Sequence, residues 1–129
     1  MDQIYAADTH GLLWFLAGSS RLSDAAREIF RANRDGKAII YVPVIAVAEV
    51  LWVIRANRVQ VDVSEILATI QSNYPVVPLT LEDVTHLPEL PDELEMHDRM
   101  IVWEAMKRKA TLITCDEVIQ AAKVVPTIW

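Results

Sequence analysis

Apolar and polar residues change period repeatedly along the chain. Ile4-Tyr5-Ala6-Ala7 is an unbroken apolar run, the pattern of a strand covered on both faces. Asp8 ends it, Thr9-His10-Gly11 reads as a turn, and Leu12 to Ala17 reads as an apolar helix broken by Gly18-Ser19-Ser20. Ser23 caps a second helix, with Asp24 in its first turn where the helix dipole favours an acid. Ala26, Ile29, Phe30 and Asn33 share one face of it, and Asp35-Gly36 stops it. Ala38 to Val42 is a second strand, ended by Pro43. Val44 to about Asn57 is apolar nearly all round, as a helix covered on most sides would be, and Glu49 interrupts its middle. Asp62 and Glu65 have capping-box spacing for a helix to about Ser72. Val76 to Leu79 predicts a third strand, Thr80 caps a short helix to about His86, and Leu87 to Asp92 is a loop containing Pro88 and Pro91.

Asp98, Ile101, Val102 and Ala105 recur at helical spacing, so one face of a helix from Asp98 to about Lys109 carries an acid at its start. Thr111 to Thr114 is a fourth strand, Glu117 to Ala122 a last short helix, and Val124 to Ile128 a fifth strand. Alternation of this kind predicts an α/β fold, a three-layer α/β/α arrangement around a mainly parallel sheet of four to five strands. Sites in such folds lie beyond the carboxyl ends of the strands.

A length of 129 residues suits a single domain spanning 1–129. Apolar residues make up 53%, a surplus that points to a covered subunit or partner face. The one cysteine, Cys115, excludes an internal disulfide and fits a reducing cytoplasm. Met1-Asp2-Gln3 offers no basic leader region. The longest apolar stretch, Ala38 to Ile54, is divided by Pro43 and shorter than the ~20 residues a spanning helix needs, so no membrane segment is expected. A net charge of −6 is unusual for a nucleic-acid binder, but it suits a chain that holds cations.

Four acids interrupt apolar surroundings: Asp8, Glu49, Asp98 and Asp116. Asp8 and Asp116 follow strands, and Glu49 and Asp98 sit on helices able to reach the same sheet edge. Surface acids such as Glu82-Asp83 and Glu93 have polar neighbours instead. Brought together without a cation, such carboxylates would resist joint ionisation. An all-oxygen donor set selects a hard ion, Mg²⁺ or Mn²⁺, which can polarise a phosphoryl oxygen and acidify water. Taken singly, Asp8, Asp98 and Asp116 also read as helix caps, and Glu49 as the partner of Arg55 or Arg99.

Asp8-Thr9-His10 after the first strand, Glu49, His97-Asp98-Arg99-Met100-Ile101-Val102, Leu112-Ile113-Thr114-Cys115-Asp116 and the terminal Thr127-Ile128-Trp129 together resemble the PIN domain, and most closely its VapC-type toxin branch. The resemblance runs from Ile4 to Trp129. It implies a metal-dependent endoribonuclease, the toxin of a toxin–antitoxin pair, held inactive by a cognate antitoxin and forming a homodimer. By position, Asp8, Asp98 and Asp116 would be ligands of one or two Mg²⁺ or Mn²⁺ ions, and Glu49 a ligand or a positioner of the attacking water. Trp103-Glu104 departs from the small residues usual after the apolar block, which bears on packing or pairing.

Supporting roles are open for Thr114, as a donor to a ligand carboxylate or to phosphate or as a plain strand end, and for Arg99, as a phosphate contact or the salt-bridge partner of Glu95 or Glu49. Trp14 and Phe15, adjacent on one helix and so unable to face the same way, and Trp52 are candidates for binding an antitoxin helix. Arg27, Arg31, Arg34 and Lys37, and then Lys107, Arg108 and Lys109, read as solvated faces or an RNA path. His10, His86 and His97 lack zinc-ligand spacing. Two rivals stand beside the ribonuclease: a non-catalytic binding module on the same fold, and a DNA-cleaving or structure-specific nuclease with the same metal chemistry.

Overall fold

The computed structural model describes residues 3–129; Met1 and Asp2, on which the expectation of no leader partly rests, lie outside the described residues. Strands β1 (Gln3–Ala7), β2 (Ala38–Pro43), β3 (Val76–Val77), β4 (Thr111–Ile113) and β5 (Thr127–Ile128) alternate with helices α1 (Thr9–Leu16), α2 (Asp24–Arg34), α3 (Val44–Ala56), α4 (Val63–Asn73), α5 (Leu81–His86), α6 (Met96–Lys107) and α7 (Glu117–Ala122). Among the described residues the strands form one sheet in the order β3-β2-β1-β4-β5, with every pairing parallel. This is the α/β/α architecture that the alternation predicts, with five strands.

The unbroken apolar run of β1 is explained by its place between β2 and β4, where Ala6 and Ala7 are wholly buried. α2 and α6 pack on the sheet, and α3 lies against both α1 and α6. Phe30, Leu12, Ile40, Ile101, Leu112 and Ile113 fill the core. No helix among the described residues is long and apolar enough to cross a membrane.

The element ends that differ from the sequence expectation have local causes. α1 begins at Thr9, directly after β1, because Asp8 is itself the N-cap and no turn intervenes. α6 begins at Met96, which places Asp98 inside its first turn rather than at the cap. It stops at Lys107 because Lys109 turns left-handed (φ 54°) and the Ala110 N–H returns to the Ala105 carbonyl. β3 is cut short at Pro78, which has no N–H to give, and β5 begins only after Pro126. Asp62 caps α4 by accepting from the Ser64 N–H, whereas the reciprocal capping box sits at Thr80 and Asp83.

Candidate active site

Parallel register brings the first two acids together. Ala7 pairs with Ile113, and the Asp8 N–H donates to the Ile113 carbonyl at 3.1 Å, so Asp8 leaves β1 alongside Thr114 at the end of β4. The fully buried Thr114 hydroxyl donates to Asp8 Oδ2 at 2.6 Å and accepts from the Asp116 N–H at 3.0 Å. One hydroxyl therefore ties the two carboxylate-bearing turns. Asp8 Oδ1 accepts from the Thr9 N–H at 2.7 Å. Asp116 Oδ1 caps α7 through the N–H groups of Val118 and Ile119, so capping occupies one of its carboxylate oxygens.

Glu49 reaches the same edge from α3. Its Oε1 accepts from the Thr9 hydroxyl at 2.8 Å, and its Oε2 lies 3.3 Å from His97 Nδ1. It pairs with neither Arg55 nor Arg99, contrary to the sequence reading. Asp98 completes the group from the first turn of α6. Because Ile101, Val102 and Ala105 are buried on that face, the carboxylate is drawn in with them.

The electrostatics record the crowding. Burial, then the charges of Asp116, Asp8, Glu95 and Glu49, push Asp98 up to about 6. No donor among those causes offsets the rise, although the dipole at the helix start favours an anion there. Burial also raises Asp8, and Asp116 adds to the rise, against the bonds from Thr114 and Thr9 and the nearby His10. Acids from separate elements thus sit close enough to oppose the ionisation of Asp98 and, through Asp116, of Asp8. Among the described residues no group of three or more His, Cys, Asp or Glu side chains is arranged, as it lies, to hold a metal ion. The donor chemistry nonetheless fits a hard divalent cation. The set is all oxygen, and without a counter-charge the other acids oppose the charge of Asp98.

The other residues singled out from sequence fall elsewhere. Arg99 is engaged with backbone carbonyls. Its guanidinium donates to the carbonyls of Leu94, Leu87 and Pro91, and its nearest acid is Asp92 at 3.9 Å rather than Glu95 or Glu49. It pins the loop before α6. Phe15 is partly buried and stacks on the core residue Phe30 at 4.7 Å. Trp14 points the other way, edge-on to Trp129 and beside His10. It lines an open groove of about 700 Å³ with Leu13, Leu16, Val50, Val53 and Ile66. Trp52, 70% exposed, lies outside that groove. Cys115 is only half-buried.

Thr9 and His97 were not singled out as site residues from sequence, yet each holds a Glu49 oxygen. Their one legible signal is adjacency, since each directly neighbours a candidate ligand. A second polar cluster was also hidden. Asp83 is 2% exposed, not a surface acid, and accepts from Lys107 at 2.7 Å and Trp103 Nε1 at 2.9 Å. Burial opposes its charge, but the bonds from Lys107, Thr80 and Trp103 prevail and hold its pKa well below the usual range. Glu104, equally buried, accepts from Arg108 at 2.7 Å. Lys107 and Arg108 are therefore engaged as the ion-pair partners of two buried acids. Trp103, the departure noted in the sequence, also stacks on His86 at 4.4 Å.

A family model, the PIN domain, matches residues 5–125 of the chain. No curated protein matches it. Among solved structures, the fold is similar to a chain of VapBC2 from Rickettsia felis, bound to a DNA fragment from their promoter. The TM-score is 0.75 at 15% identity, over 98% of this chain and 99% of that one. A chain of FitAB bound to an IR36 DNA fragment is also similar, with TM-score 0.70 at 13% identity over 96% and 93%. At these identities the likeness is one of fold.

Proposed function

This chain belongs to the PIN-domain family, and from that premise we propose that it is a Mg²⁺- or Mn²⁺-dependent endoribonuclease, the toxin of a cytoplasmic toxin–antitoxin pair. The observation that carries this reading is the convergence of Asp8, Glu49 and Asp116 on Asp98 at one sheet edge, where each opposes the charge of Asp98. A purely structural edge gains nothing from such repulsion, whereas a cation site requires it. Asp8, Asp98 and Asp116 would hold the ion. When bound, the cation supplies Lewis-acid polarisation of the phosphoryl group and acidifies water.

The chain's own residues do the rest. Thr114 ties Asp8 to the backbone of Asp116, so two of the three proposed ligands are held beside each other. Glu49, with both oxygens oriented, is placed to take a proton from the attacking water. The water oxygen bonds to phosphorus, the bond to the leaving ribose oxygen breaks, Glu49 takes the proton, and solvent returns one to the leaving group.

We assign the antitoxin to the Trp14 groove between α1, α3 and α4, whose apolar lining suits the buried face of a partner helix. Val44, Ala48 and Trp52 fall on one exposed face of α3, which supports a homodimer formed there. A Trp52→Glu variant that sediments at the size of the wild type rejects that face. For the activity, an RNA oligonucleotide is incubated with Mg²⁺ or Mn²⁺ and the wild type, Asp8→Asn or Asp98→Asn. Cleavage by the wild type alone is expected, and full activity in both variants overturns the reading. A DNA oligonucleotide in parallel separates ribonuclease from deoxyribonuclease.

A further inference from the structure

We infer that Thr9 and His97 are positioning residues that lock Glu49 as the water-orienting carboxylate. The inference rests on the nuclease reading above and assigns the roles within it. Thr9 is 5% exposed, and its hydroxyl proton is committed to Glu49 Oε1 at 2.8 Å. His97 Nδ1 meets the other oxygen, Oε2, at 3.3 Å. An ionised carboxylate has no proton to give, so the imidazole Nδ1–H is the donor in that contact. Each Glu49 oxygen therefore has its own donor, and the plane of the carboxylate is fixed from two sides.

The two locks come from the chain neighbours of two proposed ligands. In Asp8-Thr9, the backbone N–H of Thr9 bonds Asp8 Oδ1 at 2.7 Å while its side chain bonds Glu49. In His97-Asp98, consecutive positions of α6 point one side chain at Glu49 and the other into the acid cluster. Each dipeptide sets a ligand and the orientation of the base together, so the distance from base to cation site is held by local geometry at two independent points.

The test compares RNA cleavage kinetics of Thr9→Val, Thr9→Ser, His97→Phe and His97→Asn, with Mn²⁺ titrated calorimetrically into each metal-free protein without RNA. Thr9→Val and His97→Phe should lower kcat by about 10- to 100-fold, the usual consequence of losing an orienting partner, with KM and Mn²⁺ affinity unchanged. Thr9→Ser and His97→Asn, which keep a donor at the same place, should recover most of the loss. Thermal melts verify folding, and the His97 pair decides the matter if Thr9→Val does not fold, since the His97 side chain is 59% exposed. Wild-type kcat in His97→Phe overturns the inference, and so does a loss of Mn²⁺ affinity that tracks kcat, because Glu49 would then be a ligand. A wild-type protein that cleaves no RNA in the same buffer refutes the nuclease reading instead.

Discussion

Replacing Asp98 with Asn should stabilise the metal-free protein while abolishing its activity. Asn keeps the shape and removes the charge that Asp116, Asp8, Glu95 and Glu49 oppose. The rise of Asp98 from its ordinary 3.8 to about 6 is worth roughly 3 kcal/mol, since each tenfold change in proton affinity is about 1.4 kcal/mol. Solvent screening at a half-buried carboxylate reduces this to about 1–2 kcal/mol. For a domain of this length that is a gain of roughly 3–8 °C in Tm. The effect has a definite pH window. In the folded state Asp98 holds its proton up to about 6, whereas in the unfolded chain it releases it near 3.8. The wild type therefore loses stability as pH rises between these values, and the penalty is complete above the upper one. Below the lower value both states are protonated and the variant has no advantage. The assay is thermal unfolding with EDTA at pH 7.5 and pH 3.5, each variant beside the wild type. An Asn variant no more stable than the wild type at pH 7.5 refutes the claim that the acids crowd one another.

Asp116 has two separable duties. Asp116→Asn should keep the α7 cap and, by removing a charge that opposes Asp98, melt no lower than the wild type while losing cleavage, whereas Asp116→Ala should lose cleavage and melt lower than Asp116→Asn by the loss of a cap worth about 1 kcal/mol. Asp83→Ala removes the acceptor shared by Lys107 and Trp103 and should cost about 3 kcal/mol in urea unfolding; a loss under about 1 kcal/mol contradicts the internal network. Phe15→Ala opens a hole beside Phe30 and should cost about 3 kcal/mol, while Trp52→Ala should leave the stability of the isolated protomer within about 0.5 kcal/mol.

Much of this arrangement is legible from residue types alone. The apolar runs locate the strands, and the acids that interrupt apolar surroundings mark the sheet edge, because a carboxylate among buried neighbours needs a reason. Helix starts are less legible. Asp8 looks like the end of a strand followed by a turn, yet it caps α1 directly. Asp98 has the composition of a cap, but the chain enters α6 earlier and carries it into the first turn. Side-chain partners across the fold are least legible. Asp83 has the polar neighbours of a surface acid, and only the packing of α5 on α6 reveals that Lys107 and Trp103 meet it. Arg99 and Phe15 carry the chemistry of binding residues and serve loop and core instead. Thr9 and His97 announce nothing by type, because their role depends on where α3 delivers Glu49.

Mn²⁺ titration followed by the paramagnetic resonance of the free ion tests the central claim most directly. The wild-type protein, Asp8→Asn and Asp98→Asn are compared at pH 7.5 without RNA. The convergence of the carboxylates requires saturable uptake by the wild type and its loss in both variants. Equal uptake by all three, or none by the wild type, would mean that these acids share an edge without sharing an ion.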